Sequence, residues 1–363
     1  MSHLFSELKV KDVVFKNRIG VAPMCQYSSI DGVATDWHMT HLGSRAVGGA
    51  GLIIAEATAV TPDGRITPGC AGLWNDQQAE ALKPITRHLE SFGCVPGIQI
   101  GHAGRKAGAA RPWDGGHHLK DEDGGWPLKG PSDVAFDADS TRLWKAPSAM
   151  SLDEIAHMQS AFVDAAKRSL EAGYKLLEIH GAHGYLLHSF FSPLVNQRED
   201  AYGGSLENRA RMMLETVAKV REVWPENLPL AVRLSVVDWD EAEGLTIDDN
   251  IQMAKWLKDA GVDLVDCSSG GANPSARASI GNHTQKQPDL AGQLRSGSGL
   301  MTMAVGCITD ADQAEEIVAS GKADMVLMAR QFIREPYWAF NAAKQLGVDT
   351  KTVMPIQNGF YVG

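Results

Sequence analysis

Eight short apolar runs, set roughly 40 residues apart, constrain this chain more than any other feature in it. In order they are RIGVAPM ending at Met24, GLIIAEA ending at Ala57, VPGIQI ending at Ile100 and KLLEIHGA ending at Ala182. LPLAVRLSV ending at Val236, VDLVDCSS ending at Ser269, LMTMAVG ending at Gly306 and ADMVLMAR ending at Arg330 follow. The runs are apolar on both faces, as strands covered on both sides must be. Each gives way to Gly or polar residues and then to a longer stretch with helical periodicity. Eight parallel strand-plus-helix units close a TIM barrel, so the expected fold class is α/β, a (β/α)8 barrel.

Start and stop signals agree with that count. Ser151 with Glu154 reads as a capping box, Thr246 and Thr309 read as N-caps with Asp three residues on, and Gly173 and Gly261 sit where helices should end. One interval breaks the rhythm: residues 101–150, rich in Gly, Pro, Trp and Asp, form a long excursion after the third strand. At a barrel mouth such an excursion is a lid or an interface. No linker interrupts the chain, so residues 1–363 are expected to form a single domain.

Composition narrows the function classes. With 34 Lys plus Arg against 44 Asp plus Glu, the net charge is −10 over 363 residues, which argues against partners such as nucleic acid or an anionic membrane. Cys25, Cys70, Cys94, Cys267 and Cys307 are scattered without a C-x-x-C pair, which fits a reduced, cytoplasmic setting. The N-terminus MSHLFSELKV lacks a basic stretch before an apolar run, and no segment reaches the roughly 20 apolar residues of a membrane span.

In a TIM barrel the active site lies at the C-terminal strand ends. Here those ends carry Met24 and Cys25, Glu56 and Ala57, Gln99, His180 with His183, Arg233, Ser268 and Ser269, Gly306 and Arg330. No dinucleotide fingerprint follows a strand and there is no Walker sequence. Phosphate would instead be held on the loops after strands seven and eight, near Gly306 and Arg330, as in a phosphorylated substrate or flavin mononucleotide. His180 and His183 can jointly donate to one oxygen and favour a reaction in which negative charge grows there. A metal site or a purely structural pair are the competing readings. Tyr185 offers a proton donor, Cys25 and Tyr27 a shared face, and Arg233 requires an anionic partner, whether a carboxylate such as Glu56 or an anionic cofactor ring.

The stretch SFFSPLVNQREDAYGGSLENRARMMLE from Ser189 to Glu215, with APMCQY at Ala22, QIGHAGRKA at Gln99 and HGAHGYL at His180, resembles the Old Yellow Enzyme family of flavin-dependent ene-reductases. The likeness runs essentially end to end. The Cys25 and Tyr27 pairing and the HAGRKA segment are similar to its thermophilic-like branch. The resemblance implies non-covalent FMN, with Pro23, Met24 and Cys25 along the ring, Ala57 and Gln99 at the pyrimidine edge, His180 and Arg233 beside the ring, and Ala304, Gly306, Ala329 and Arg330 on the phosphate arm. It also implies NADPH or NADH as reductant and enones, maleimides or nitro compounds as substrates. These are reduced at an activated C=C bond by hydride from flavin N5. His180 and His183 would hold the substrate oxygen, Tyr27 and Cys25 would line the substrate pocket, and Tyr185 would supply the proton.

The sequence departs from that pattern in places. The last strand end reads Met328, Ala329, Arg330 where many relatives have Gly before the Arg, and Val305 stands where a relative carries a bulky aromatic. The resemblance implies a homo-oligomer, dimer or tetramer; relatives in this branch often send a C-terminal Arg or Trp into the neighbour's site, where the tail NGFYVG offers only Phe360 and Tyr361. Two other functions stand beside the ene-reductase: a flavin-free lyase or isomerase acting on a phosphorylated substrate, and a flavin-binding sensor without turnover.

Overall fold

The computed structural model describes residues 2–136, 144–240, 242–273 and 286–362, so residues 137–143 of the long excursion lie outside the described residues. Its strands are β1 (Leu8–Val10), β2 (Val13–Phe15), β3 (Ile19–Val21), β4 (Leu52–Ala59), β5 (Val95–Gly101), β6 (Lys129–Gly130), β7 (Ser148–Ala149), β8 (Leu176–Gly181), β9 (Leu230–Ser235), β10 (Leu264–Ser268), β11 (Met301–Val305) and β12 (Met325–Met328). All eight apolar runs become the strands of one closed barrel, in the order β3, β4, β5, β8, β9, β10, β11, β12 and back to β3, every pair parallel. The expected (β/α)8 architecture is the one observed.

Around the barrel lie α1 (Asp36–Val47), α2 (Asp76–Glu90), α3 (Leu152–Glu171), α4 (Leu186–Phe191), α5 (Leu206–Val223), α6 (Ile247–Asp259), α7 (Gln287–Ser298) and α8 (Ala311–Ala319). The short α9 (Arg330–Arg334), α10 (Trp338–Gln345) and α11 (Ile356–Val362) follow the last strand. In α3 the buried residues Ile155, Met158, Phe162, Ala165, Ala166 and Ser169 recur at helical spacing, and that stripe meets the outer face of the barrel. Ser151 caps it by accepting from the Glu154 N–H at 3.2 Å while the Glu154 carboxylate accepts from the Ser151 N–H at 2.8 Å. Thr246 caps α6 in the same way through Asp249. The cap of α8 is shifted by one: Asp310, not Thr309, accepts the first-turn N–H groups, since its carboxylate already sits at the turn. Gly173 and Gly261 do end helices, with φ of 94° and 90° that a side chain would resist.

The hairpin β1–β2 is not announced by the run pattern. Asp12 donates its N–H to the Asn227 carbonyl just before β9, and Lys11 pairs with Asp263 just before β10, so the hairpin lies across the N-terminal ends of the strands. Phe15 is fully buried there with Leu52, Val95, Leu176, Leu264 and Met325. The hairpin stoppers one end of the cylinder and leaves the C-terminal strand ends as the mouth.

Above that apolar plug the barrel interior turns polar. Gln99, Glu178, Arg233 and Asp266 are buried on neighbouring strands, with Gln99 in register with Glu178 and Arg233 with Asp266. The described part of the excursion folds back over this end. Arg111 donates from Nε to the Tyr27 carbonyl at 3.0 Å, Trp113 meets the Tyr27 ring edge-on, and Trp126 donates to the Asp63 carbonyl at 2.9 Å.

Candidate active site

His180 is the last inward side chain of β8, and residues 182–185 turn directly into α4. That turn gathers three rings. The His180 and His183 centroids are 5.2 Å apart, His180 and Tyr185 4.9 Å, and His183 and Tyr185 6.4 Å, all close to perpendicular. His180 accepts the Ala182 N–H on Nδ1 at 3.3 Å, which leaves its proton on Nε2 as a donor. The Nε2 of His183 lies 2.7 Å from the Ser268 hydroxyl at the end of β10.

Burial sets the protonation of this cluster. Both imidazoles titrate well below the ordinary histidine range because burial disfavours the charged ring, and the Arg233 cation adds to the effect. They are neutral imidazoles rather than imidazoliums at neutral pH. Burial likewise holds the Tyr185 phenol well above its ordinary value, so it keeps its proton. The Cys25 thiol is raised by burial, with Cys70 and Glu56 adding to the shift. Cys25 is therefore a protonated thiol in the mouth, not a thiolate nucleophile.

Arg233 finds its carboxylate in Asp266, whose Oδ2 lies 3.3 Å from the guanidinium Nε. Glu56 is not that partner. The register of β4 shifts between Ala55 and Thr58, which breaks the alternation that would aim Glu56 into the barrel. Its carboxylate instead accepts the Gln26 N–H at 2.9 Å and lies 3.2 Å from His38 Nε2 on α1. Gln99 donates to Glu178 at 2.7 Å. Burial raises the Glu178 and Asp266 carboxyls, with Arg233 opposing it in both.

Two clefts join these residues. His180 and Tyr185 line a small cavity with Ala57 and Cys70. A larger cleft of about 580 Å³ runs from His183 and Ser268 past Val305 and Gly306 to Ala329 and Arg330. It thus connects His183 to the loops after β11 and β12. Gly306, at φ 114°, needs to be glycine. Met24 lies beside Glu56 and His38 on the α1 side, next to Pro23. Ala304 is buried one residue below the cleft, in the layer between barrel and helices.

The donor set suits an FMN. The Nε of buried Arg233 has an ion-pair neighbour but no aligned hydrogen-bond acceptor among the described residues, and an electron-rich ring edge would satisfy it. At the far end Arg330 is exposed on the cleft wall beside the Gly306 backbone, as a phosphate requires. Three residues of this neighbourhood escaped the strand-end reading. Lys106 donates to the His183 carbonyl at 2.8 Å, Ser235 accepts the His183 N–H at 2.9 Å, and His188 accepts the Gly184 N–H at 2.8 Å. Lys106 belongs to the HAGRKA segment, whose family likeness was the available signal; His188 falls between the HGAHGYL and SFFSPL stretches and carried none.

Comparison with known proteins agrees with this site. Residues 3–349 match the NADH:flavin oxidoreductase / NADH oxidase family. The NADPH dehydrogenase of Listeria monocytogenes serotype 4b (strain CLIP80459) is 44% identical over 349 residues, 96% of each chain. Morphinone reductase in complex with tetrahydroNAD superposes with a TM-score of 0.75 at 26% identity, over 99% of this chain and 94% of that one. The old yellow enzyme homologue from Zymomonas mobilis does so at 0.77 and 25% identity, over 97% and 96%. With the family's pattern spanning nearly the whole barrel, the chain belongs to the NADH:flavin oxidoreductase / NADH oxidase family, of Old Yellow Enzyme type, and is an enzyme that uses FMN with NAD(P)H as reductant.

Proposed function

We propose that this enzyme reduces the activated C=C bond of α,β-unsaturated carbonyl compounds, maleimides or nitroalkenes. Within its family we assign it to the thermophilic-like branch, near xenobiotic reductase A, on the Cys25 and Tyr27 pairing and the HAGRKA segment. One observation carries the reading: two neutral imidazoles and a protonated phenol gather with ring centroids 4.9 to 6.4 Å apart, and one of them, His183, lines the end of a cleft whose other end carries Arg330.

Bound FMN would supply hydride at its N5. The chain supplies the rest. His180 and His183 donate to the carbonyl or nitro oxygen, where charge builds as the β-carbon is reduced. Tyr185, held protonated by its surroundings, delivers a proton to the α-carbon. Tyr27 and Cys25 line the other side of the substrate pocket, with Pro23, Met24, Ala57 and Gln99 toward the ring. Arg233 offers a fixed cation beside it, and Gly306, Ala329 and Arg330, backed by Ala304, hold the phosphate arm. The excursion of residues 101–150 serves as a lid or an interface, its described part lying on the Tyr27 side, and residues 1–363 work as one FMN-binding domain. The enzyme is cytoplasmic and a homo-oligomer, dimer or tetramer; Phe360 and Tyr361 are 78% and 82% exposed in the single chain and free to meet a neighbour. Among the described residues no helix is long and apolar enough to cross a membrane.

The test is anaerobic. Flavin bleached with NADPH or NADH is expected to recolour on adding 2-cyclohexenone, a maleimide or a nitroalkene. Bleaching without recolouring by any of them would make the protein a sensor rather than an ene-reductase.

A further inference from the structure

His183 does not sit in the mouth by default. Its φ is +61° and that of Gly184 is +71°, two successive left-handed residues, one of them not glycine. Such a turn persists only where its surroundings hold it. The space is tight: a Cβ on Gly184 would lie 2.2 Å from the Gly271 carbonyl oxygen, and one on Gly271 would lie 2.6 Å from the His183 backbone. Ser235 takes the His183 N–H and Lys106 holds the His183 carbonyl. The remaining backbone donor, the Gly184 N–H, lies 2.8 Å from Nδ1 of His188.

His188 is itself clamped. Fully buried on α4, it places Nε2 3.1 Å from Oδ1 of the equally buried Asp238, an ion-pair contact in which neither atom has an aligned hydrogen-bond partner among the described residues. The other Asp238 oxygen accepts from the Ser192 hydroxyl at 2.7 Å and the Leu245 N–H at 3.2 Å. Because Nδ1 accepts from a backbone N–H, the imidazole proton belongs on Nε2, facing the carboxylate. Burial would raise the Asp238 carboxyl, but His188, Ser192 and Leu245 together hold it below its ordinary range, as an anion.

We propose that His188 is a positioning residue: braced by Asp238, it takes the Gly184 N–H on Nδ1 and thereby fixes the left-handed turn that presents His183 to the substrate oxygen. The inference rests on the ene-reductase reading for what His183 does, but the brace itself is a property of the chain alone.

Two conservative variants separate this role from one confined to satisfying Asp238. The amide oxygen of Asn can stand where Nδ1 stands, and the amide nitrogen of Gln reaches where Nε2 stands. His188→Asn therefore keeps the bond to Gly184 and loses reach to Asp238, while His188→Gln does the reverse. With the enzyme reduced photochemically, so that no nicotinamide is involved, reoxidation by 2-cyclohexenone is expected to stay near the wild-type rate in His188→Asn. It is expected to slow by about 10²-fold in His188→Gln, the effect of a small misplacement of a catalytic group, with FMN content unchanged in both. In the apoprotein, hydrogen exchange at the Gly184 amide should be slow in wild type and His188→Asn and fast in His188→Gln. Wild-type speed in His188→Gln, equal slowing in both variants, or an unprotected Gly184 amide in wild type would each overturn the proposal. A wild-type enzyme that no alkene reoxidises would instead overturn the ene-reductase reading, and the exchange measurement would still decide the brace.

Discussion

His180 and Tyr185 stand edge to face, their ring centroids 4.9 Å apart and their planes at 90°. Tyr185 is five residues beyond His180, across a turn at the strand end, so under the proposed reading the donor to an oxygen and the donor to a carbon would approach one substrate from different directions. The two roles are therefore separable by mutation.

Replacing both His180 and His183 with Ala should leave FMN bound and slow reoxidation by 2-cyclohexenone by at least about 10²- to 10³-fold, the usual effect of losing one donor to a developing oxyanion. FMN content by absorbance and single-turnover reoxidation of the photoreduced enzyme check it. Loss of flavin in parallel with rate would show the pair to be structural.

Tyr185→Phe should slow the same step less, by roughly 10- to 10²-fold, because solvent can replace part of a general acid. The wild-type rate should show no inflection where an ordinary phenol titrates, near pH 10, since burial keeps this one protonated to higher pH. A stopped-flow pH series that fell through pH 10 in wild type but not in Tyr185→Phe would show the phenol titrating at its ordinary value, against its burial, and a Tyr185→Phe rate equal to wild type would remove Tyr185 as the acid.

Arg330→Ala should weaken FMN binding by about 10- to 10²-fold, from the loss of about 1.5 to 3 kcal/mol of charge-assisted hydrogen bonding. Equilibrium dialysis of FMN against the apoprotein measures it. Unchanged affinity would place the phosphate elsewhere.

Acid should destabilise the apoprotein earlier than its carboxylates require. His180 and His183 are held below their ordinary range by burial and Arg233, and His41 is lowered to about 3 by burial and Arg45. Below an unfolded pKa of about 6.5 the unfolded chain binds protons that the folded one refuses. Stability is thus complete above that pH and falls as pH drops, by up to about 1.4 kcal/mol per unit for each such histidine. Urea unfolding between pH 7.5 and 5 should show the decline, and His41→Gln should lessen it. A flat profile would contradict the buried neutral histidines.

Phe15→Ala should cost about 3 to 5 kcal/mol, the range for truncating a buried aromatic. Its ring fills the stoppered end of the barrel, far from the mouth, so FMN affinity of the folded fraction should be unchanged. Denaturant unfolding with flavin titration separates the two effects.

The barrel was legible in the chain because its signal is local. An apolar run such as LPLAVRLSV needs only its own residues to declare a strand buried on both faces, and Gly173 or Gly261 declares a helix end through its own φ. That His180, His183 and Tyr185 gather at the mouth was legible because they follow the end of a barrel strand. What the sequence left open were relations between distant residues and the charge states they produce. Glu56 turns to His38 through a register shift, Arg233 finds Asp266 on the next strand, His183 meets Ser268, and the hairpin of Phe15 plugs the far end. No short-range pattern encodes those pairings, because they exist only once the cylinder has closed. The neutrality of the two imidazoles has the same origin: a histidine titrates near 6.5 in an open chain, and only burial beside a guanidinium takes its proton away.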